Sequence, residues 1–447
     1  MRFKSTLVVF LIFLGLAAWV YFQEIKGGKR REEAKERSAK LMLFEKGDVQ
    51  SFRLKSQEEE IVCQRYGDEW KITKPVETQG DKSVIDGLVS RLEGARIERV
   101  VEEAPLDVGK FGLKEPQLEV ELTYEGGNRD TLWLGDKNPT NSFVYLQRSG
   151  PKKVLLASSG LLTSLGKDLF DLRDKRVLTF NRDEVKRISL TRGRSSIICE
   201  TSDGDWELKE PIEAKGDKGV IDGLLSSLQS ARAREFVSEK PEDLDYFGLK
   251  PPKVKVDLLL GEERAEKTLL IGKKKGERFY AKDESRAPVF LVDSSLVEKF
   301  KKEPFDLRDK TVVKFESDKV DKVEIRYPAE LIICDKDTSG EWMMVEPDST
   351  KAKKWKISSL FSNLSGLRTE RFPSLVKELS RYGLKSPQEE IILYEGRKEL
   401  VWIQLGKKKD DLVYLKDKLG GKMFMVKEKD ADRLRLRPED IEEKPTE

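Results

Sequence analysis

Tryptophan stands at positions 70, 206 and 342, and neighbouring copies are 136 residues apart both times. Other residues keep nearly the same step: Phe44, Phe180 and Phe315; Gly135, Gly272 and Gly406; Tyr145, Tyr280 and Tyr414. The only cysteines of the chain, Cys63, Cys199 and Cys334, fall in that register too. A phrase of aromatic-Gly-Leu-Lys-x-Pro recurs as FGLKEP from Phe111, FGLKPP from Phe247 and YGLKSP from Tyr382. So many co-registered positions confine the chain to three tandem copies of a unit of about 135 residues, an ordinary size for one domain.

The copies are read as 41–176, 177–311 and 312–437, preceded by an N-terminal segment 1–24 and a charged linker 25–40, and followed by an acidic tail 438–447. Copies one and two are the closer pair. GDKSVIDGLVSRLEGARIER, from Gly80, and GDKGVIDGLLSSLQSARARE, from Gly216, agree at 12 of 20 positions. The third copy has diverged, keeping Leu360, Leu364 and Arg368 at the matching places.

Within each copy the apolar period changes along the chain, and this predicts an α+β unit with a mainly antiparallel sheet. VQSFRLKS, EEEIVCQRY and EWKITKP alternate as half-buried strands do. A helix follows, with Asp81 as its N-cap and Val84, Ile85, Leu88, Leu92 and Ala95 as one apolar stripe; copy two repeats this with Asp217, Val220, Ile221, Leu224, Leu228 and Ala231. A loop then ends in the recurring phrase. Gly112, Gly248 and Gly383 suit a left-handed helix end, the following Leu turns back to the core, and the Pro three residues later drives the chain into an extended strand. LEVELTY, TLWLGDK, FVYLQR and KVLLAS are the remaining strands of copy one, and a short helix closes it.

The charge balance excludes one class of partner. With 85 basic against 82 acidic residues the net charge is +3, without the basic excess of a nucleic-acid binder, so no nucleic-acid partner is expected. The chain has no histidine. Ser-His-Asp and Cys-His catalysis and His-ligated metals are therefore excluded within it, leaving carboxylate or Ser-Lys chemistry. Each cysteine sits among apolar strand neighbours (IVCQ, IICE, IICD), and no C-x-x-C occurs, so buried core thiols are the expectation. No catalytic, cofactor-binding or metal-binding residue is assigned, and no cofactor is called for.

FDLRDK occurs from Phe170 and again from Phe305, each time where a copy ends. Asp171, Arg173, Asp174 and Lys175 resemble an acid-base cluster, but the place of the motif makes it a junction. Its charges are expected to pair locally while Phe170 and Leu172 anchor the closing helix. The third copy shows no clear match, its end reading LRLRPEDIEEK. GLLTSLGKD, from Gly160, is not a phosphate loop: its glycines are one residue too far apart, and Asp168 stands where Ser or Thr is needed. The basic stretches GKKKGERFY, from Gly272, and GKKKDDLVY, from Gly406, read as solvated hairpins.

Ser5 to Gln23 carries no charge and is bracketed by Lys4 and Glu24. Nineteen such residues make roughly 28 Å of helix, enough for a bilayer core. Small residues at Gly15–Ala18 would suit signal cleavage, but the apolar run continues through Phe22, which favours an uncleaved single transmembrane helix. Basic residues flank it on both sides: Arg2 and Lys4 before, Lys26, Lys29, Arg30 and Arg31 after. A plain count would hold the C-terminal side inside the cell; the short basic N-terminus instead resembles an export signal, and an extracytoplasmic soluble region is the reading taken.

The N-terminal apolar segment, the tandem units, the aromatic-Gly-Leu-x-x-Pro phrase and the LRDK junction together resemble the bacterial family called domain of unknown function 4340, over roughly residues 40–435. The resemblance implies an envelope protein of the inner (cytoplasmic) membrane with its soluble region periplasmic. It carries no catalytic residues to transfer. Its members are often encoded beside ABC-type transport components, which implies an accessory role with an ABC-type permease or another envelope protein as partner. A membrane-anchored binding or scaffold protein, not an enzyme, is therefore expected; a carboxylate-dependent hydrolase of an envelope polymer is the alternative.

Overall fold

The computed structural model describes residues 3–21, 35–373 and 378–443. In the first copy, nine strands form one antiparallel sheet: β1 (Val49–Ser56), β2 (Glu60–Tyr66), β3 (Glu69–Lys74), β4 (Thr78–Gln79), β5 (Arg99–Glu102), β6 (Leu118–Tyr124), β7 (Arg129–Lys137), β8 (Phe143–Arg148) and β9 (Val154–Ser158). Their order across the sheet is β4-β3-β2-β1-β6-β7-β8-β9-β5. Chain neighbours pair by hairpins on either side of the central β1–β6 contact, where Phe52 faces Leu122 and Leu54 faces Val120. Alternation along β1 buries Phe52 and Leu54 on one side, as the period-2 pattern requires, and a register shift between Val49 and Ser51 lets Val49 join the same core.

The same strand order recurs in a nine-stranded sheet running from Val185–Arg192 to Val289–Asp293 and in an eight-stranded sheet running from Lys322–Arg326 to Met423–Lys427. Three mostly β units with a few helices are thus laid along the chain. In the third, the edge strand that pairs with β9 in the first is reduced to the single bridge Arg371–Met425. By compactness the chain divides into two units, residues 1–180 with 228–253 and 267–297, and residues 181–227 with 254–266 and 298–447. The first sheet lies in the former and the third in the latter; the second contributes strands to both.

One helix per copy lies on the buried face of its sheet: Lys82–Glu93, Lys218–Ser230 and Lys354–Gly366. Asp81 and Asp217 cap the first two, each carboxylate accepting from the backbone N–H three residues on, at 3.2 and 3.1 Å. Such caps contribute about 1 kcal/mol each. The third helix starts at Lys353 without a side-chain cap. Ile85, Leu88, Val89 and Leu92 enter the core of copy one with Phe52, Cys63 and Trp70. The core of copy three uses the equivalent Ile357, Leu360, Phe361, Leu364, Cys334 and Trp342.

The recurring phrase packs on the opposite face. Phe111 ends a short 3-10 turn, and Gly112 follows at φ +70°, with Gly248 at +67° and Gly383 at +69°. Each aromatic meets the tripled tyrosine: Phe111–Tyr145, Phe247–Tyr280 and Tyr382–Tyr414 have ring centroids 4.8, 5.1 and 4.7 Å apart. The tripled glycines 135, 272 and 406 admit this loop. A Cβ on any of them would stand 2.2 Å from the carbonyl oxygen of the phrase's aromatic residue. The phrase is therefore a structural plug, and two glycines per copy serve it.

Two expectations differ from what the described residues show. Phe3–Val20 forms one helix of 18 residues, roughly 27 Å at about 1.5 Å per residue, against a hydrocarbon core of ~30 Å. Among the described residues no helix is long and apolar enough to cross a membrane, so the transmembrane span expected within 1–24 is not found. Secondly, the acidic tail expected over 438–447 is part of the third unit as far as it is described. Pro438–Ile441 forms a helix whose Ile441 is fully buried in the core of that unit. Residues 1–2 and 22–24 of the expected span, the linker up to 34, with its flanking basic residues, and 444–447 lie outside the described residues.

Candidate junction site

The closing helices Leu169–Leu172 and Pro304–Leu307 bring the FDLRDK motif to the end of a copy, and most of its residues make the same contacts in both places. Leu172 and Leu307 are buried. The next residue forms a single antiparallel bridge back to its own copy, Gly80–Arg173 and Gly216–Arg308. Asp174 and Asp309 each accept from the backbone N–H two residues on, at 2.9 and 3.0 Å. Lys175 and Lys310 reach back to the carbonyls of Asp171 and Asp306, at 3.2 and 3.3 Å, and lie over the rings of Phe170 and Phe305. Phe170 and Phe305 stand edge-on to Phe236 and Phe372 of the following copy, at 6.1 and 5.9 Å.

The arginine does not pair locally, contrary to the expectation from charge alternation. Arg173 is 2% exposed. Its guanidinium carbon sits 3.6 Å from the centroid of Phe236, and its two terminal nitrogens donate to the two oxygens of Glu239 at 2.5 and 2.7 Å. This bidentate, face-stacked geometry is one that guanidinium offers and ammonium does not. Thr73, Val76, Glu77, Arg286 and Phe290 complete the walls of a cleft of about 540 Å³ around it. Arg286 ties the chain beyond the junction into place: it donates to the carbonyls of Arg176 and Val177, at 2.6 and 3.0 Å, while Asp283, 3% exposed, accepts from its Nε at 2.9 Å.

Arg308 repeats the stack, its guanidinium carbon 3.3 Å from the centroid of Phe372. No carboxylate meets it among the described residues, and burial alone pulls its pKa below the ordinary guanidinium range. It lines a smaller cleft of about 300 Å³ with Lys215, Lys314, Lys422, Glu213, Asp309 and Asp417.

The third copy does carry the motif, where sequence comparison found none. Ile441 takes the place of Leu172 and Leu307, and Glu442 bridges Ala352 as the arginines bridge Gly80 and Gly216. The N–H of Glu443 reaches the carbonyl of Lys351 at 2.8 Å, as Asp174 reaches Gln79 and Asp309 reaches Lys215. At the arginine position this copy has Glu442.

The tripled tryptophans and thiols are interior groups. Trp70, Trp206 and Trp342 are at most 4% exposed. The first two donate from Nε1 to Asp86 and Asp222, at 2.9 and 3.0 Å, and Ser358 occupies that position in copy three. The three cysteines are buried and unpaired with one another, and burial pushes each thiol up to about 12. Among the described residues no group of three or more Cys, Asp or Glu side chains is placed to hold a metal ion.

One buried carboxyl breaks the threefold pattern. Glu389 occupies the strand position held by Leu118 and Val254 in the other copies and is 1% exposed. Its Oε1 lies 3.3 Å from the Tyr327 hydroxyl. Its Oε2 has no hydrogen-bond partner among the described residues, the nearest cation being Arg435 Nε at 3.6 Å. Burial pushes its pKa up to about 7, against the pull of Arg435.

Comparison with solved structures finds the DNA polymerase III subunit beta from Pseudomonas aeruginosa, 8% identical over 87% of this chain and 93% of that one, with a TM-score of 0.15. A DnaN sliding clamp from the same organism, bound to griselimycin, is 7% identical over 87% and 94%, with a TM-score of 0.13. At such scores these likenesses carry no argument. No curated protein matches the chain. A family model does, three times: residues 70–205, 206–374 and 342–445. Each match begins on one of the tripled tryptophans, and the second and third overlap over 342–374. Three matches over most of its length establish that the chain belongs to the family described as Domain of unknown function (DUF4340).

Proposed function

We propose that this protein is a membrane-anchored binding or scaffold protein of the cell envelope. One observation carries the reading: the side chains that recur in the sequence are spent on packing each unit and on clamping a copy to the next, as Arg173 does on Phe236 and Glu239. The anchor is the N-terminal helix. Leu7, Phe10, Leu11, Phe13, Leu14 and Trp19 are all at least 48% exposed and face every direction around it, and a helix apolar on all sides needs an apolar surrounding. The uncharged run continues in the sequence beyond the described helix to Gln23.

The chain crosses the inner membrane once and presents its three units on the extracytoplasmic side, where a permease of an ABC-type transport system, or another envelope protein, is the partner. Hydrolysis of an envelope polymer is the weaker reading. It needs two acids held in one cleft with pKa values pushed apart, and Glu389, the described carboxylate raised to about 7, is closed off inside a core.

Crosslinking in native membranes followed by affinity purification tests the proposal. A membrane partner recovered in fixed ratio is expected, together with protease access to residues 41–443 in spheroplasts but not in intact cells. Recovery of the protein alone under conditions that keep known envelope complexes whole contradicts it.

A further inference from the structure

The two junctions are internal copies of one arrangement, and they differ at one group. In the first, Arg173 lies on Phe236 and is neutralised by both oxygens of Glu239. In the second, Arg308 lies on Phe372 in the same way. The sequence there reads Phe372-Pro-Ser-Leu375 where the first junction reads Phe236-Val-Ser-Glu239. Leu375 lies outside the described residues, and that segment, residues 374–377, contains no acid. The cation and its aromatic platform have been kept while the carboxylate has gone, and a cleft of about 300 Å³ opens beside them.

We infer that the cleft lined by Arg308, Phe372 and Lys422 binds a small carboxylate-bearing ligand, whose carboxylate pairs with Arg308 as that of Glu239 pairs with Arg173. The neighbouring charges favour an anion. Lys314 is held by Asp309 at 3.0 Å and Lys215 by Asp205 at 3.6 Å. Arg308 and Lys422 have no ion-pair partner among the described residues, so two cations remain for a ligand. Glu213 and Asp417 on the same wall select against ligands with excess negative charge. A guanidinium lying over a ring face leaves the N–H donors at its edge free, and their planar fork matches a carboxylate in bidentate fashion. The volume is at the lower end for small-molecule sites, which limits the ligand to a compact acid. This inference stands apart from the scaffold proposal, and neither requires the other.

The test is peptide-mapped modification of the full chain in detergent micelles by phenylglyoxal, which reacts with accessible guanidinium groups. Arg173, buried and already paired, is the internal standard. Arg308 is expected to react at least tenfold faster than Arg173. Malonate is expected to slow Arg308 at least fivefold, saturably, while leaving the exposed arginines unchanged. Three results overturn the inference: an Arg308 as inert as Arg173, no saturable protection by malonate, or equal protection of all arginines. Protection by inorganic phosphate that equals or exceeds that by malonate overturns the assignment to carboxylates.

Discussion

Replacing Glu239 by alanine loosens the first junction by roughly 2 kcal/mol, a cost set by stranding a buried guanidinium rather than by the pair's own attraction. Arg173 is 2% exposed, and its Nε is buried without a hydrogen-bond partner among the described residues. It therefore depends on Glu239 for the bonds of its two terminal nitrogens. The figure is kept below that of a fully buried pair because the Glu239 side chain is 37% exposed. The matching change in the second junction, Arg308→Ala, removes a stacked cation that has no carboxylate to strand, and costs only about 0.5–1 kcal/mol. Hydrogen exchange over residues 169–180 and 305–315 measures both. Faster exchange around the first junction in Glu239→Ala, with little change around the second in Arg308→Ala, is the expected pattern. Equal effects would mean that the two arginines are equally paired.

The second large effect concerns Glu389. Folding raises its pKa from the ordinary carboxyl value of 4.5 to about 7. Between those limits the native state keeps a proton that the unfolded chain has released. Native stability therefore falls as pH rises through that window, then stays level above it. The loss is on the order of 3 kcal/mol if the shift is fully expressed. Glu389→Leu installs the residue that copy one has at this position, Leu118, and leaves Arg435, whose side chain is 41% exposed, in water. The variant is expected to melt higher than the parent at pH 8, with the difference shrinking toward pH 4.5. Scanning calorimetry at a series of pH values checks this. A difference that grows as the pH is lowered would reverse the sign and refute the buried-acid explanation.

How much of this was legible in the sequence depends on how far apart the interacting residues lie. Strands and the capped helix were readable because their signals are local: period-2 alternation in VQSFRLKS, and Asp81 three residues before the N–H it caps. The tripled Trp, Cys and Gly positions were readable because three copies act as an internal alignment. The edge strand Arg99–Glu102 was hidden in a charged loop, since its pairing with Val154–Ser158 spans more than fifty residues. The partner of Arg173 was hidden for the same reason: Glu239 is one of many acids and lies 66 residues away. The third junction motif escaped because its two most distinctive residues, Arg and Asp, are Glu442 and Glu443 there, while the backbone bridge that defines it persists.

That three copies of one fold keep the same residues for the same interior positions can be checked with the thiols. Cys63, Cys199 and Cys334 sit on equivalent strands of three cores, each with its pKa pushed up to about 12 by burial. An Ellman titration of the full chain at pH 8 should find no reactive thiol in the native protein and three once denaturant is added. A single cysteine that labels rapidly without denaturant would show that its copy does not share the common core.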